Sequence, residues 1–158
     1  MTDHHVRISH HAVARWEGRL ITIGLGSCVA IALHDAKNRV AGLAHVLLPD
    51  PSIARDTTNP ARFASTAVPL LVAEMRAMGA RGAIAGKLAG GAALFGNLLG
   101  SGSPMGARNV AAARAALQAA GIPVVAEETG GSAGRSVSLE VASGRFTVRS
   151  VRGGEREL

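Results

Sequence analysis

Residues 22–28 read Thr-Ile-Gly-Leu-Gly-Ser-Cys, and a short strand-like run lies on each side of them. Residues 19–23 are predicted to form one strand, and residues 29–33, which are apolar and β-branched, another. The two glycines interrupt the pattern, because glycine adopts backbone angles that other residues avoid. The stretch therefore predicts a tight turn between two strands. Cys28, the only cysteine in the chain, stands where the second strand starts.

Residues 40–48 resume the strand pattern after a short polar loop, which predicts a β-hairpin with residues 29–33. If the strands pair symmetrically about a loop centre between positions 36 and 37, partners have numbers that sum to 73. Cys28 then faces His45, and directly opposed side chains share a face with Cβ atoms about 5 Å apart. The hairpin therefore predicts an imidazole within reach of the thiol, unless a one-residue slip puts the two on opposite faces.

The rest of the chain alternates helical and strand patterns. Ser65 is the expected N-cap of the first helix, and a glycine closes each helix. The glycine-rich residues 96–107 are expected to be a surface loop. This order of elements predicts an α/β fold, a single-domain sandwich of mixed β-sheet with two main helices. The helices are predicted over residues 65–78 and 108–120, and the later strands over residues 83–88, 123–128, 135–141 and 146–151.

A chain of 158 residues with 47% hydrophobic content suits one domain with one core. Residues 1–18 hold four of the six histidines and are expected to form an irregular, flexible arm. They lack a cysteine or carboxylate at metal-ligand spacing, so no metal site is expected there. The domain itself is expected over residues 19–152, followed by a charged, frayed tail at residues 153–158.

Composition excludes several classes of function. The formal net charge is +6, but the arginines are scattered and aromatic residues make up only 3%, which counts against nucleic-acid binding by base stacking. A single cysteine forms no internal disulfide, so nothing indicates an oxidising compartment. The chain starts with no signal-peptide pattern, and its apolar runs are too short to span a bilayer. A cytoplasmic protein without membrane insertion is expected.

The pairing of Cys28 with His45 predicts nucleophilic catalysis. An imidazole can take the proton of a thiol and later protonate a leaving amine. Backbone N–H groups of Gly26, Ser27 and Cys28 could hold the developing oxyanion. The hydroxyl of Thr22, polar on an otherwise apolar strand, is the best candidate to orient the base.

Two other interpretations compete with catalysis. A lone buried cysteine is most often a small core residue, and a lone strand histidine is more often structural. The glycines of residues 24–26 also mimic the start of a dinucleotide-binding fingerprint. That fingerprint should open a helix, and Val29 stands where its third glycine belongs, so no cofactor is expected.

The chain resembles the CheD family of chemoreceptor glutamine deamidases over roughly residues 19–151. The segment Leu-Gly-Ser-Cys with the downstream Ala-His is the most specific part of the resemblance. Further motifs follow in the order that the family shows. The matching segments are residues 22–30, 42–49, 79–80 and 87–92, Gly106-x-x-Asn109, and residues 128–135.

The resemblance implies a substrate and a reaction that the spacing of residues alone does not indicate. The family hydrolyses side-chain amides of selected glutamines on methyl-accepting chemotaxis receptors, giving glutamate and ammonia. Its catalytic cysteine, histidine and threonine fall on Cys28, His45 and Thr22, and the cysteine is expected to pass through a thioester. The implied fold is a compact α/β sandwich like that of cysteine-hydrolase and deamidating-toxin domains. Some members also bind the CheC phosphatase.

The chain departs from the family at two places that bear on substrate docking. Many relatives carry an aromatic residue and, two positions later, an acidic one; this chain has Phe63 and Ser65 there. Leu88-Ala89 stands where relatives often have phenylalanine. An alternative function is a chemotaxis adaptor that docks a CheC-type phosphatase or a receptor with little turnover. A thiol with an unusually low pKa would favour the enzyme, and an inert buried thiol would favour the adaptor.

Overall fold

The computed structural model describes residues 1–94 and 104–158, and they form two five-stranded β-sheets and two α-helices. This confirms the predicted α/β class with mixed sheets. The strands are β1 (Asp3–His5), β2 (His11–Arg15), β3 (Arg19–Leu25), β4 (Val29–Asp35), β5 (Val40–Val46), β6 (Ala85–Gly90), β7 (Val124–Thr129), β8 (Arg135–Glu140), β9 (Phe146–Ser150) and β10 (Gly154–Glu157); the helices are α1 (Ala64–Ala77) and α2 (Met105–Ala119).

The molecule has three layers. The central sheet has the strand order β2-β5-β4-β6-β7, and the outer sheet has the order β1-β3-β8-β9-β10. Each sheet contains one parallel pair, β6 with β7 in the central sheet and β1 with β3 in the outer one. Both helices pack on the central sheet, and the outer sheet covers its other face. Strands β4 and β5 are therefore buried on both faces.

Alternation along β4 sorts its side chains between two cores. Val29, Ile31 and Leu33 lie in the core shared with the helices. Cys28, Ala30 and Ala32 instead lie in the core between the two sheets. Small side chains on this second face let the sheets approach closely at the cysteine.

The register predicted for the first hairpin is wrong by two residues. Asp35 pairs with Val40 and Ala30 pairs with His45, so partner numbers sum to 75. The loop is longer than expected, because the Asp35 carboxylate accepts the backbone N–H of Asn38 at 3.1 Å and that of Gly82 at 2.9 Å. A slip of two residues preserves the side-chain face, so Cys28 and His45 still point the same way.

The two ends of the chain are more ordered than the sequence indicates. Residues 1–18, expected to be irregular, contribute β1 to the outer sheet and β2 to the central sheet. The C-terminal tail, expected to be frayed, adds β10 to the edge of the outer sheet. All three strands are short, and β1 and β10 are polar, so their pairing partners form them rather than an apolar periodicity.

Details of the helical half also differ from expectation. Helix α1 starts one residue before Ser65, and its N-cap residue Phe63 makes no side-chain capping bond. Most of the loop predicted at residues 96–107 lies outside the described residues, and its last part already belongs to α2. No helix within the described ranges is long and apolar enough to cross a membrane.

Helix α2 approaches the backbone of the turn after β6 without any side chain between them. A Cβ built on Gly106 would lie 2.4 Å from the carbonyl oxygen of Gly91 and 2.6 Å from that of Ala92. Real Cβ atoms do not approach backbone so closely, so the helix has to present glycine at this point.

We expect Gly106→Ala to lower the free energy of unfolding by about 1–3 kcal/mol, the usual cost of overpacking. Helix propensity alone would favour alanine by about 1 kcal/mol, so the sign of the effect distinguishes the clash from propensity. Urea denaturation measures it. Gly134→Ala is the matched control, because its new Cβ would lie 3.7 Å from the Leu25 oxygen, an ordinary contact. A stabilised Gly106→Ala variant would contradict the close approach.

Candidate active site

Three side chains named from the sequence are buried where the two sheets face each other. Cys28 precedes β4, His45 lies on β5, and Thr22 reaches them from β3 of the outer sheet. They are 6%, 2% and 1% exposed, respectively. Because Ala30 is the direct partner of His45, Cys28 lies one pleat further along the same face. The structure therefore brings Thr22 into contact with His45 and places Cys28 on the face that they share.

The hydrogen bonds of Thr22 determine the tautomer of His45. The hydroxyl oxygen lies 2.7 Å from Nδ1 of His45 and also in hydrogen-bond contact with the carbonyl oxygen of Val6. A carbonyl only accepts, so the single hydroxyl hydrogen goes to Val6 and Nδ1 must carry the hydrogen that Thr22 accepts. In the neutral imidazole, Nε2 is then the basic nitrogen. It is buried and has no partner among the described residues.

Residues 6–10 hold this histidine from both sides. The backbone N–H of Ser9 donates to the carbonyl of His45 at 2.8 Å, and the N–H of His45 donates to the carbonyl of His10 at 3.1 Å. This segment connects β1 with β2 and so crosses from the outer to the central sheet. Sequence reasoning missed it, since backbone groups in a polar, aperiodic stretch leave no pattern in the side chains.

Burial keeps both reacting groups neutral. Desolvation lowers the pKa of His45 from 6.5 to about 4. Desolvation also raises the pKa of the Cys28 thiol, only partly offset by its own backbone N–H. A charged form costs free energy in an apolar surrounding, and here it would do so for both groups. The resting pair is therefore thiol and imidazole, rather than thiolate and imidazolium.

The turn before β4 has all its carbonyls engaged. The carbonyl of Gly26 accepts from the N–H of Ala92 at 2.9 Å, and that of Cys28 accepts from the N–H of Gly91 at 2.8 Å. The carbonyl of Ser27 accepts from Nδ2 of Asn109 at 2.9 Å. The three N–H groups of Gly26, Ser27 and Cys28, in contrast, donate to no oxygen within residues 1–94 and 104–158. They remain available to an oxyanion.

Gly90, the last residue of β6, is required by its contact with the cysteine. A Cβ on Gly90 would lie 2.3 Å from the carbonyl oxygen of Cys28, and the φ angle of Gly90 is +109°. The largely buried ion pair of Arg135 and Glu128 stabilises the turn after β6, because Arg135 also donates to the carbonyls of Gly90 and Gly130, at 3.1 and 2.8 Å. The glycine motifs that are separate in sequence thus converge on one backbone cluster.

The two departures from the family pattern occupy different environments. Phe63, Leu88 and Ala89 are fully buried, so they act on substrate docking only through the core. Ser65 is partly exposed and can contact a substrate directly. As for metals, no group of three potential ligand side chains occurs in the part of the chain that the structure describes.

A buried thiol, an imidazole with a basic Nε2 on the same face and turn N–H groups that donate to no oxygen of the described residues are components that thiol-dependent hydrolases use. Comparison with known proteins identifies the family of the chain. The model of the family described as CheD chemotactic sensory transduction matches residues 47–150. The chain belongs to the CheD family.

Several relatives with curated names cover nearly the whole chain. The chemoreceptor glutamine deamidase CheD of Thermotoga maritima is 41% identical over 152 residues, which cover 96% of this chain and 94% of the relative. A protein of Moorella thermoacetica named a probable chemoreceptor glutamine deamidase CheD is 47% identical, over 92% of this chain and 89% of its own. A similarly named protein of Geobacter metallireducens is 47% identical, over 93% of both chains.

The tautomer of His45 can be measured directly. In the wild type and in Thr22→Ser, which keeps the hydroxyl, we expect nitrogen NMR of the His45 ring to show the hydrogen on Nδ1. In Thr22→Val the acceptor is lost, and we expect the hydrogen to redistribute towards Nε2. An unchanged ring spectrum in Thr22→Val would show that the hydroxyl does not set the tautomer.

The low pKa of His45 links protonation to stability. Since the folded pKa of about 4 lies below the unfolded value of 6.5, the unfolded chain binds a proton first as the pH falls. We expect the wild type to lose about 3 kcal/mol of unfolding free energy, relative to His45→Gln, between pH 7 and pH 4. Urea denaturation across that range measures the difference. His5→Gln, which changes an exposed histidine, should keep the wild-type pH profile; a parallel loss in His45→Gln would contradict the assignment.

Proposed function

We propose that this protein is a protein-glutamine deamidase that acts on methyl-accepting chemotaxis receptors and uses Cys28 as its nucleophile. The observation that carries the proposal is the fixed tautomer of His45, whose basic Nε2 shares a buried face with the only thiol of the chain. The relatives named chemoreceptor glutamine deamidases support the substrate class. The net positive charge suits the acidic helices of a receptor, and we place the reaction on the cytoplasmic side.

The first half of the reaction forms a thioester. Nε2 of His45 takes the thiol proton while Sγ of Cys28 bonds to the carbon of the glutamine carboxamide. The carboxamide oxygen becomes an oxyanion that the N–H groups of Ser27 and Cys28 hold. The imidazolium then gives its proton to the amide nitrogen, the carbon–nitrogen bond breaks, and ammonia leaves.

The second half returns the enzyme to its starting state. A water molecule attacks the thioester carbon while Nε2 of His45 removes a proton from it. The carbon–sulfur bond breaks, glutamate is released, and the thiolate of Cys28 recovers its proton from the imidazolium. Throughout, the hydroxyl of Thr22 keeps Nδ1 protonated, so that Nε2 remains the nitrogen that exchanges protons.

The neutral resting pair determines how the thiol is activated. Because the pKa of Cys28 is raised and that of His45 is lowered, little thiolate exists before substrate binds. The proton therefore moves during attack, as general-base catalysis, rather than beforehand. A histidine that is neutral down to low pH can serve as base throughout the physiological range.

The raised thiol pKa is also what the adaptor alternative expects of an inert cysteine. In that second candidate function, the chain docks a receptor or a CheC-type phosphatase and turns over little substrate. The tautomer of His45 favours the enzyme, and so do the turn N–H groups that donate to no oxygen in the described part of the chain, since docking alone requires neither.

We expect Cys28→Ala to abolish the mass gain that converts receptor glutamine to glutamate, because the variant lacks the nucleophile. Mass spectrometry of purified receptor cytoplasmic fragments, incubated with each protein, measures the conversion and its position. Ser143→Ala, an exposed change in the turn between β8 and β9, should match the wild type. If Cys28→Ala deamidates the receptor fragments as fast as the wild type, the proposed mechanism is wrong. A wild type that binds receptor fragments without converting them would favour the adaptor.

A further inference from the structure

Asn109 joins the two segments that carry the reacting groups. It lies near the start of α2 and is completely buried. Its Nδ2 donates to the carbonyl of Ser27 at 2.9 Å and to that of Leu47 at 3.0 Å. Ser27 directly precedes Cys28, and Leu47 follows His45 by two positions. Both hydrogens of one amide group therefore hold the cysteine turn and the end of β5 together.

The bond to Ser27 also determines where the next N–H group points. The peptide bond between Ser27 and Cys28 is trans, so its C=O and N–H groups point in opposite directions. With the carbonyl held towards α2 by Asn109, the N–H of Cys28 must point away from the helix. It donates to no oxygen there among the described residues.

We propose that Asn109 is a positioning residue that aims the Cys28 N–H as an oxyanion donor. The inference rests on the proposed acyl-transfer function but not on the identity of the substrate. Asn109 bonds to neither the thiol nor the imidazole; it acts through the peptide group that joins Ser27 to Cys28. The acceptor end of its own side chain has no partner among the described residues, which marks the two donated bonds as its role.

A second donor limits the size of the effect. The carbonyl of Gly26 is held by the N–H of Ala92, and this orients the N–H of Ser27 independently of Asn109. Loss of Asn109 should therefore remove one oxyanion donor and leave the other. Removal of one such donor typically slows catalysis on the order of 100- to 1,000-fold.

Two reagents separate oxyanion stabilisation from thiol reactivity without a receptor. With p-nitrophenyl acetate, Sγ of Cys28 attacks the ester carbon, the carbonyl oxygen becomes an oxyanion, p-nitrophenolate leaves, and an S-acetyl group remains on the cysteine. With iodoacetamide, Sγ displaces iodide from a saturated carbon, and no oxyanion forms. Both reactions deliver the thiol proton to His45. Only the first forms an oxyanion, so only the first depends on the N–H donors.

We expect Asn109→Leu to slow acetylation of Cys28 on the order of 100-fold and to leave the rate and pH profile of alkylation near those of the wild type. Intact-protein mass spectrometry measures both. Asn109→Ala, which removes both donated bonds without adding bulk, should behave alike and serves if the leucine variant does not fold. Leu117→Ala removes packing from the same helix without contact to the turn, so it should leave the ratio of the two rates unchanged. In His45→Gln both rates should fall.

The outcomes distinguish this inference from the proposed function. Equal losses of acetylation and alkylation in folded Asn109 variants, or no loss of acetylation, would overturn the positioning role. A wild-type Cys28 that is never acetylated would overturn it as well. If the ratio shifts as expected while receptor fragments are not deamidated, the role of Asn109 holds and the proposed substrate is wrong.

Discussion

The single hydrogen of the Thr22 hydroxyl is the constraint on which the site depends. The carbonyl of Val6 takes that hydrogen, so the hydroxyl oxygen can only accept from His45. This one choice places the proton on Nδ1 and leaves Nε2 as the base. It also requires the outer and central sheets to lie at a fixed separation, because the hydroxyl and the imidazole come from different sheets. The small residues on the facing side of β4 permit that separation.

Close contacts at three glycines also fix the position of the turn that contains Cys28. Gly90 and Gly91 bring the turn after β6 against the carbonyl of Cys28, and Gly106 brings α2 against that turn. Backbone therefore meets backbone around the cysteine, and the carbonyls of the turn are satisfied by fixed donors. A loop held in this way cannot rotate its peptide groups, so its N–H groups, which donate to no oxygen within residues 1–94 and 104–158, are already oriented before a substrate arrives. Preorganised donors of this kind need no rearrangement during the reaction.

Burial has two opposite consequences for the chemistry of the site. Desolvation keeps His45 neutral and so preserves a base at low pH, but it also removes the ion pair that would otherwise activate Cys28 in advance. The site gives up a preformed thiolate and gains a thiol that is shielded from solvent. In such a surrounding, the proposed proton transfer and bond formation must occur together. The proposed reaction therefore depends on the alignment of the thiol, the imidazole and the substrate.

The sequence by itself determined most of the local structure. The strand patterns, both helices and the mixed α/β class followed from residue types and spacing, because strand alternation and turn residues are local signals. The same patterns gave Cys28, His45 and Thr22 as candidate site residues. The tertiary structure decided the hairpin register, the pairing of residues 1–18 and the contacts of Asn109. Each depends on groups far apart in the chain, such as Asp35 with Gly82 or Val6 with Thr22. Backbone carbonyl and N–H groups are the same at nearly every residue, so the sequence does not indicate which partner each of them will bond.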